Sequence, residues 1–175
     1  MKKFILFAFA ACLLFTFSGE ALSQELGFKG IGGTLQFVKP ENIDGTVGFG
    51  AHADLGQIIE HLTLFPSIEY WGKSEGPLDF SQFAVNADVR YYFPNSSNLS
   101  FFAGGGLALL FSSADVNLGG FGTRSDNSTD IGLNLLGGID VPVSEKLVFT
   151  GSAKFVISDG NVFKIMGGLT YLLGE

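Results

Sequence analysis

Residues 82–111 read QFAVNADVRYYFPNSSNLSFFAGGGLALLF. In the first part, Phe83, Val85, Ala87, Val89, Tyr91 and Phe93 fall on one face of an extended chain. Gln82, Ala84, Asn86, Asp88, Arg90 and Tyr92 fall on the other. Side chains alternate across a pleated strand, so this is a strand with one apolar and one polar face. Pro94, Asn95 and Asn98 interrupt it with turn chemistry. The alternation then resumes. Leu99, Phe101, Ala103, Gly105, Leu107, Leu109 and Phe111 share one side, and mostly small or polar residues take the other, with Phe102 and Leu110 as exceptions. The stretch predicts a β-hairpin. Which of its faces is buried, and in what, decides the fold.

The same period recurs along the chain. Alternating segments lie at about 28–37, 46–57, 63–72, 82–93, 99–111, 130–141, 147–157 and 162–173. These are eight predicted strands of roughly ten residues, the length that crosses a bilayer at a tilt. Turn residues separate them at 39–45, 94–98, 142–146 and 158–161. The polar stretch 112–129 reads as the longest loop, and the connections after the second, fourth and sixth strands read as short. Short turns at one end and longer loops at the other place both termini on the short-turn side, the periplasmic side of an outer-membrane barrel. Pro66 opposes this reading locally. It lacks a ladder donor, so it requires either a bulge or a later start to the third strand.

The totals agree with a single unusual domain. In 175 residues, 46% are hydrophobic and only 15% charged, yet no apolar run after the N-terminus reaches the length of a helical span. The N-terminus is a separate object. Met1, Lys2 and Lys3 precede an apolar run over residues 4–17, and Ala21 and Ser23 offer small residues for cleavage before Gln24. That is the pattern of a secretory signal peptide, which divides the chain into a signal peptide at 1–23 and a barrel domain at 24–175. The single cysteine, Cys12, would leave with the leader, removing thiolate metal sites and disulfides. Cleavage would also remove Lys2, Lys3 and Glu20. With no clustered basic residues in an acidic chain, nucleic acid is not an expected partner.

The apolar faces carry Phe, Leu or Tyr on nearly every strand, more bulk than an eight-stranded lumen holds. The opposite faces carry Gly, Ala, Ser and Thr together with His52, Asp54, Glu69, Asp88, Arg90, Asp140, Lys154 and Lys164. These eight polar residues are the candidate interior network, with Gln36, Asn86 and Asn134 beside them. Asp54, Glu69, Asp88 and Asp140 can balance Arg90, Lys154 and Lys164. A lysine or arginine facing mid-bilayer costs about 2–4 kcal/mol, so the polar parity belongs inside and the apolar parity faces lipid. On that parity Tyr91, Phe93, Phe101, Phe149 and Tyr171 gather near one end, and Phe37, Tyr70, Phe83, Phe111 and Phe163 near the other. Two aromatic girdles are what a membrane barrel presents at its interfaces.

Three segments carry a resemblance: Asp88-Val89-Arg90-Tyr91-Tyr92-Phe93-Pro94, Phe101-Phe102-Ala103-Gly104-Gly105-Gly106-Leu107 and Gly167-Gly168-Leu169-Thr170-Tyr171-Leu172-Leu173. With them the chain resembles the small eight-stranded outer-membrane β-barrel proteins, the class of the OmpA transmembrane domain and OmpX. The resemblance implies an all-β, up-and-down antiparallel barrel in the bacterial outer membrane. It implies contact with membrane lipid and lipopolysaccharide, insertion by the barrel-assembly machinery, a monomer, and possible extracellular partners at loops 39–45, 73–79 and 112–129. The implied role is structural or surface interaction, with a side-chain-filled lumen and at most a narrow pore. Family members usually end on an aromatic residue. Here Gly168, Tyr171 and Leu173 are left to supply that signal.

Two alternatives use the same strands. A soluble lipocalin-like lipid-binding barrel requires the apolar parity inside. A lipid A-modifying barrel enzyme is also similar in architecture, and the deacylases among them carry His-x-Ser. Here His52 is followed by Asp54 and His61 by Thr63, so no enzyme is expected. The glycine runs at 30–33 and 104–106 lack a following Lys-Ser/Thr and are read as close-packing positions, not phosphate loops. No cofactor and no metal site is expected.

Overall fold

The computed structural model describes residues 25–95, 98–117 and 123–173. The expected leader, 1–23, lies outside the described residues. The chain forms eight strands: β1 (Glu25–Pro40), β2 (Thr46–Ile59), β3 (Leu62–Glu75), β4 (Leu78–Tyr92), β5 (Ser100–Asn117), β6 (Thr123–Ser144), β7 (Leu147–Ile157) and β8 (Val162–Leu172). Each pairs antiparallel with the next, and β8 returns to β1, closing the ring. Closure leaves no sheet edge around the body of the barrel.

Burial follows the sequence parity in the sense opposite to a water-soluble protein. Leu35 is 69% exposed and Val47 70%, whereas Glu69 is 4% and Lys154 2% exposed. Soluble folds seldom bury lysine and glutamate while baring rows of leucine and phenylalanine. A lipocalin-like barrel needs its apolar parity inside, and this structure has it outside.

The aromatic girdles are cross-strand neighbours. Phe49, Tyr70, Phe83 and Phe111 sit side by side in register across β2–β5. Phe49 and Tyr70 are 5.6 Å apart, and Phe83 and Phe111 6.2 Å. At the terminal end Tyr91 and Phe93 meet edge to face at 5.4 Å. At about 3.4 Å per residue and a tilt of about 40°, Phe83 and Tyr91 lie about 21 Å apart along the barrel axis. An outer-membrane barrel has an apolar band about 25 Å tall.

Pro66 is accommodated by the first of the two expected routes. It pairs regularly with Ala87 of β4. On its other side the β2–β3 register is broken between His52↔Ser67 and Gln57↔Thr63. The missing donor therefore faces an irregularity, not a regular ladder. Asp54 lies in that irregularity and accepts the backbone N–H of Gly56, which has φ 77°.

The polar stretch 112–129 departs from the expected loop. Ser112↔Ser128 through Asn117↔Thr123 continue the β5–β6 ladder past the Phe111 girdle. The shorter stretch 73–79 likewise pairs, as Lys73↔Phe80 to Glu75↔Leu78. The longest interruption instead lies between Tyr92 and Ser100, at the terminal end. Apolar alternation marks a strand only where one face is buried. A ribbon standing in water needs none.

Interior glycines set the spacing. A Cβ on Gly106 would stand 2.6 Å from the Cα of Asp88 and closer still to its carboxylate and the Ala87 carbonyl. Backbone cannot yield as a side-chain tip can. Gly106→Ala is therefore expected to cost about 1–3 kcal/mol. Gly151→Ala, whose new Cβ would meet only ordinary contacts at 3.8–3.9 Å, is expected to be neutral. Urea midpoints of the refolded proteins in detergent measure both, and equal midpoints would contradict the packing account.

Candidate functional site

The interior is built in three tiers. The middle tier is ionic. Lys154 on β7 donates to Glu69 Oε1 of β3 at 2.7 Å and to Asp88 Oδ2 of β4 at 2.8 Å. Lys164 on β8 donates to the other Glu69 oxygen. Asn134 on β6 donates to Asp88 Oδ1 at 2.7 Å and Asn86 Oδ1 at 2.9 Å. Asn86 in turn donates to Ser67 Oγ at 3.1 Å, and Ser67 to Glu69 at 3.3 Å. β3 and β7 lie on opposite sides of the ring, so these bonds cross the lumen. Two carboxylates meet two ammonium groups, all buried.

The tier toward the termini mixes rings with charge. The Arg90 guanidinium lies 3.3 Å from the centroid of Phe65 and 4.5 Å from that of Phe102. Its Nε and Nη1 have no hydrogen-bond partner, and it makes no salt bridge among the described residues. The ring faces supply the cation–π attraction instead. Phe102, an exception to the sequence parity, is thus part of the arginine's seat. His52 stacks on Phe65 at 4.7 Å, with its Nε2 2.7 Å from Thr170 Oγ1. Tyr92 and Thr150 hydroxyls both donate to Asp140, at 2.7 and 2.6 Å.

The third tier, toward the far rim, is mostly apolar. Val38, Trp71, Ala84, Ala108, Leu110, Val156 and Val162 form one buried cluster. Trp71 Nε1 donates to Gln82, and Gln82 donates to Ser112, each at 3.1 Å. Above this layer an open cavity of about 230 Å³ is lined by Glu41, Ile43, Trp71, Phe80, Gln82 and Asp126, among others.

Of the eight residues marked in the sequence, Glu69, Asp88, Lys154 and Lys164 are brought together. Arg90, His52 and Asp140 occupy the neighbouring tier, and Asp54 turns to the backbone N–H of Gly56. Val38, Val156, Val162 and Met166 were not anticipated inside. They share the lumen parity, so alternation alone could have placed them there.

A family model described as the outer membrane protein beta-barrel domain matches residues 9–168. The chain belongs to this family. Its place is accordingly the bacterial outer membrane, and its outward apolar belt is the lipid-facing surface. No curated protein sequence matches the chain. Among solved structures it is similar to Neisserial surface protein A, at 19% identity and a TM-score of 0.65, covering 82% of this chain and 96% of that one. It is similar to OprG of Pseudomonas aeruginosa, at 13% identity and 0.60, covering 86% and 98%. It is also similar to Ail, the attachment invasion locus protein of Yersinia pestis, at 16% identity and 0.58, covering 85% and 99%. Ail has in addition been solved with the heparin analogue sucrose octasulfate. At these identities the likeness concerns the fold.

Proposed function

We propose that this outer-membrane barrel is a monomeric surface-interaction protein with a filled lumen and no chemistry of its own. The observation that carries the reading is the set of Lys154 and Lys164 bonds to Glu69 and Asp88, which span the lumen beneath a continuous apolar layer. Ions meet a charge-compensated crossing and then Trp71, Leu110 and their neighbours. In this reading residues 1–23 are a removed signal peptide, the termini face the periplasm, and the far rim faces outside. The barrel-insertion machinery assembles the protein among lipid and lipopolysaccharide, and contacts with extracellular partners fall to the rim. The Ail complex with a heparin analogue gives a precedent for ligand binding by a barrel of this kind. His52 stays committed to Thr170 and Phe65 inside, and His61 sits in the β2–β3 turn at the terminal end, near Tyr91. That arrangement favours no hydrolase.

Planar-bilayer recording tests the closed lumen. The wild-type protein is expected to give no open-channel steps. Trp71→Ala is expected to stay closed too, because the ionic tier lies below it. Sustained steps from the wild type would overturn the reading.

A further inference from the structure

We infer that the outer mouth of the barrel is a binding site for an aliphatic diamine, a short methylene chain with an ammonium group at each end. The inference rests on the surface-contact reading above and on its closed lumen. The cavity of about 230 Å³ above the apolar tier carries it. Sites for drug-sized molecules run to roughly 300–1,000 Å³, so this occupant is small. Trp71 and Val162 of the buried cluster line the cavity, as do Ile43 and Phe80, which pack against that cluster. Two carboxylates also line it, Glu41 from the β1–β2 loop and Asp126 from β6. β7 and β8 stand between β6 and β1 in the ring, so the two acids come from different sectors of the mouth.

The β1–β2 loop is held in place by its own bonds. The Glu41 N–H donates to the Asn161 carbonyl at 2.8 Å, and Glu41 Oε2 accepts from Asn161 Nδ2 at 3.0 Å. Lys39 Nζ donates to the Ile43 carbonyl at 2.8 Å, and the Asp44 N–H donates to Glu75 Oε1 at 3.0 Å. A wall fixed in this way adds little ordering cost to binding. The lining then selects one chemical class. No lysine or arginine among the described residues lines the cavity, so an anion finds no partner there. No three metal-binding side chains gather among the described residues, so a metal ion lacks a ligand set. Trp71 is only 5% exposed and offers no open ring face to a sugar. A methylene chain suits Ile43, Trp71, Phe80 and Val162. An ammonium at each end gives both carboxylates a charge-assisted hydrogen bond, and a monoamine serves only one.

The test uses the full protein in phosphatidylcholine nanodiscs at low salt. Trp71 is the single tryptophan of the chain, so its emission reports on the cavity directly. The probes are straight-chain diamines from ethylenediamine to diaminooctane, with pentylamine, pentanediol and magnesium chloride beside them. Titration calorimetry repeats each measurement without relying on the indole. Diamines are expected to bind saturably, with a Kd of about 0.1–1 mM for the best of them. Affinity should pass through a maximum with chain length, where the chain matches the span between the acids. The best diamine should bind about fivefold tighter than pentylamine, and either Glu41→Gln or Asp126→Asn, both at exposed positions, should remove that advantage. Heat-dependent gel mobility checks that the variants are folded. No saturable binding by either method would overturn the inference and leave the surface-contact reading intact. Equal binding by pentylamine would overturn two-point capture, and equal binding by pentanediol would overturn the role of charge. A magnesium response matching that of the diamines would make the mouth a plain acidic surface and overturn the methylene contacts. Channel steps in planar bilayers would sink the closed-lumen function without altering the diamine result.

Discussion

Glu69→Leu is expected to destabilise the barrel by about 3–5 kcal/mol, because it removes one member of a buried ionic group and leaves the others. Glu69 holds both Lys154 and Lys164. Lys154 keeps Asp88 at 2.8 Å, but Lys164, which is 0% exposed, loses its only salt-bridge partner among the described residues. A buried ammonium with no carboxylate carries its desolvation cost uncompensated. The second variant separates that cost from lost packing. Glu69→Leu/Lys164→Met replaces the pair with apolar groups of similar length and leaves Lys154 with Asp88. It should recover most of the loss, since exchanging a whole buried pair for hydrophobic side chains is often nearly neutral. Urea unfolding in detergent, followed by the mobility difference between folded and unfolded barrel on gels, measures both. A single variant within 1 kcal/mol of wild type, or a double variant worse than the single, would show that these bonds do not hold the lumen together.

The strands were legible because lipid imposes a stricter pattern than water does. Leu107, Leu109 and Phe111 alternate with Gly106, Ala108 and Leu110, and only the parity rule was needed to assign them outward and inward. The same rule fails where lipid stops. Ser112–Ser113 and Asn127–Ser128 pair in register, yet they carry no apolar face and little strand propensity. Their ladder is set by continuation from the barrel below. The charges were legible as a set but not as pairs. Glu69 and Lys154 lie 85 positions apart, and only closure and stagger of the ring bring them into contact. Arg90 shows the limit most clearly. Its charge suggested a carboxylate partner, whereas the fold presents two ring faces, Phe65 and Phe102. Asp54 was lost to the interior group for a different reason. The break in β2 near Pro66 frees the Gly56 amide beside it.

The second large effect tests the orientation of the whole molecule at one residue. Leu107 lies on β5 between Phe101 and Phe111, is 60% exposed, and pairs with Ala87 and Leu133. Leu107→Lys is expected to cost about 2–4 kcal/mol, the penalty for a lysine near the bilayer midplane. In a barrel surrounded by water the same substitution at an exposed leucine would fall within about 0.5 kcal/mol of neutral. Ser113 supplies the internal control. It shares the strand and the face of Leu107 but lies beyond Phe111, paired with Ser81 and Asn127. Ser113→Lys should cost no more than about 1 kcal/mol, because the penalty decays toward the interface. The contrast does not depend on the β propensity of lysine, which is common to both sites. Unfolding from lipid vesicles reads the two values under one condition. If Leu107→Lys were as mild as Ser113→Lys, the apolar face of β5 would not be in lipid, and the lipid-facing assignment of every other strand, which shares its outward parity, would fall with it.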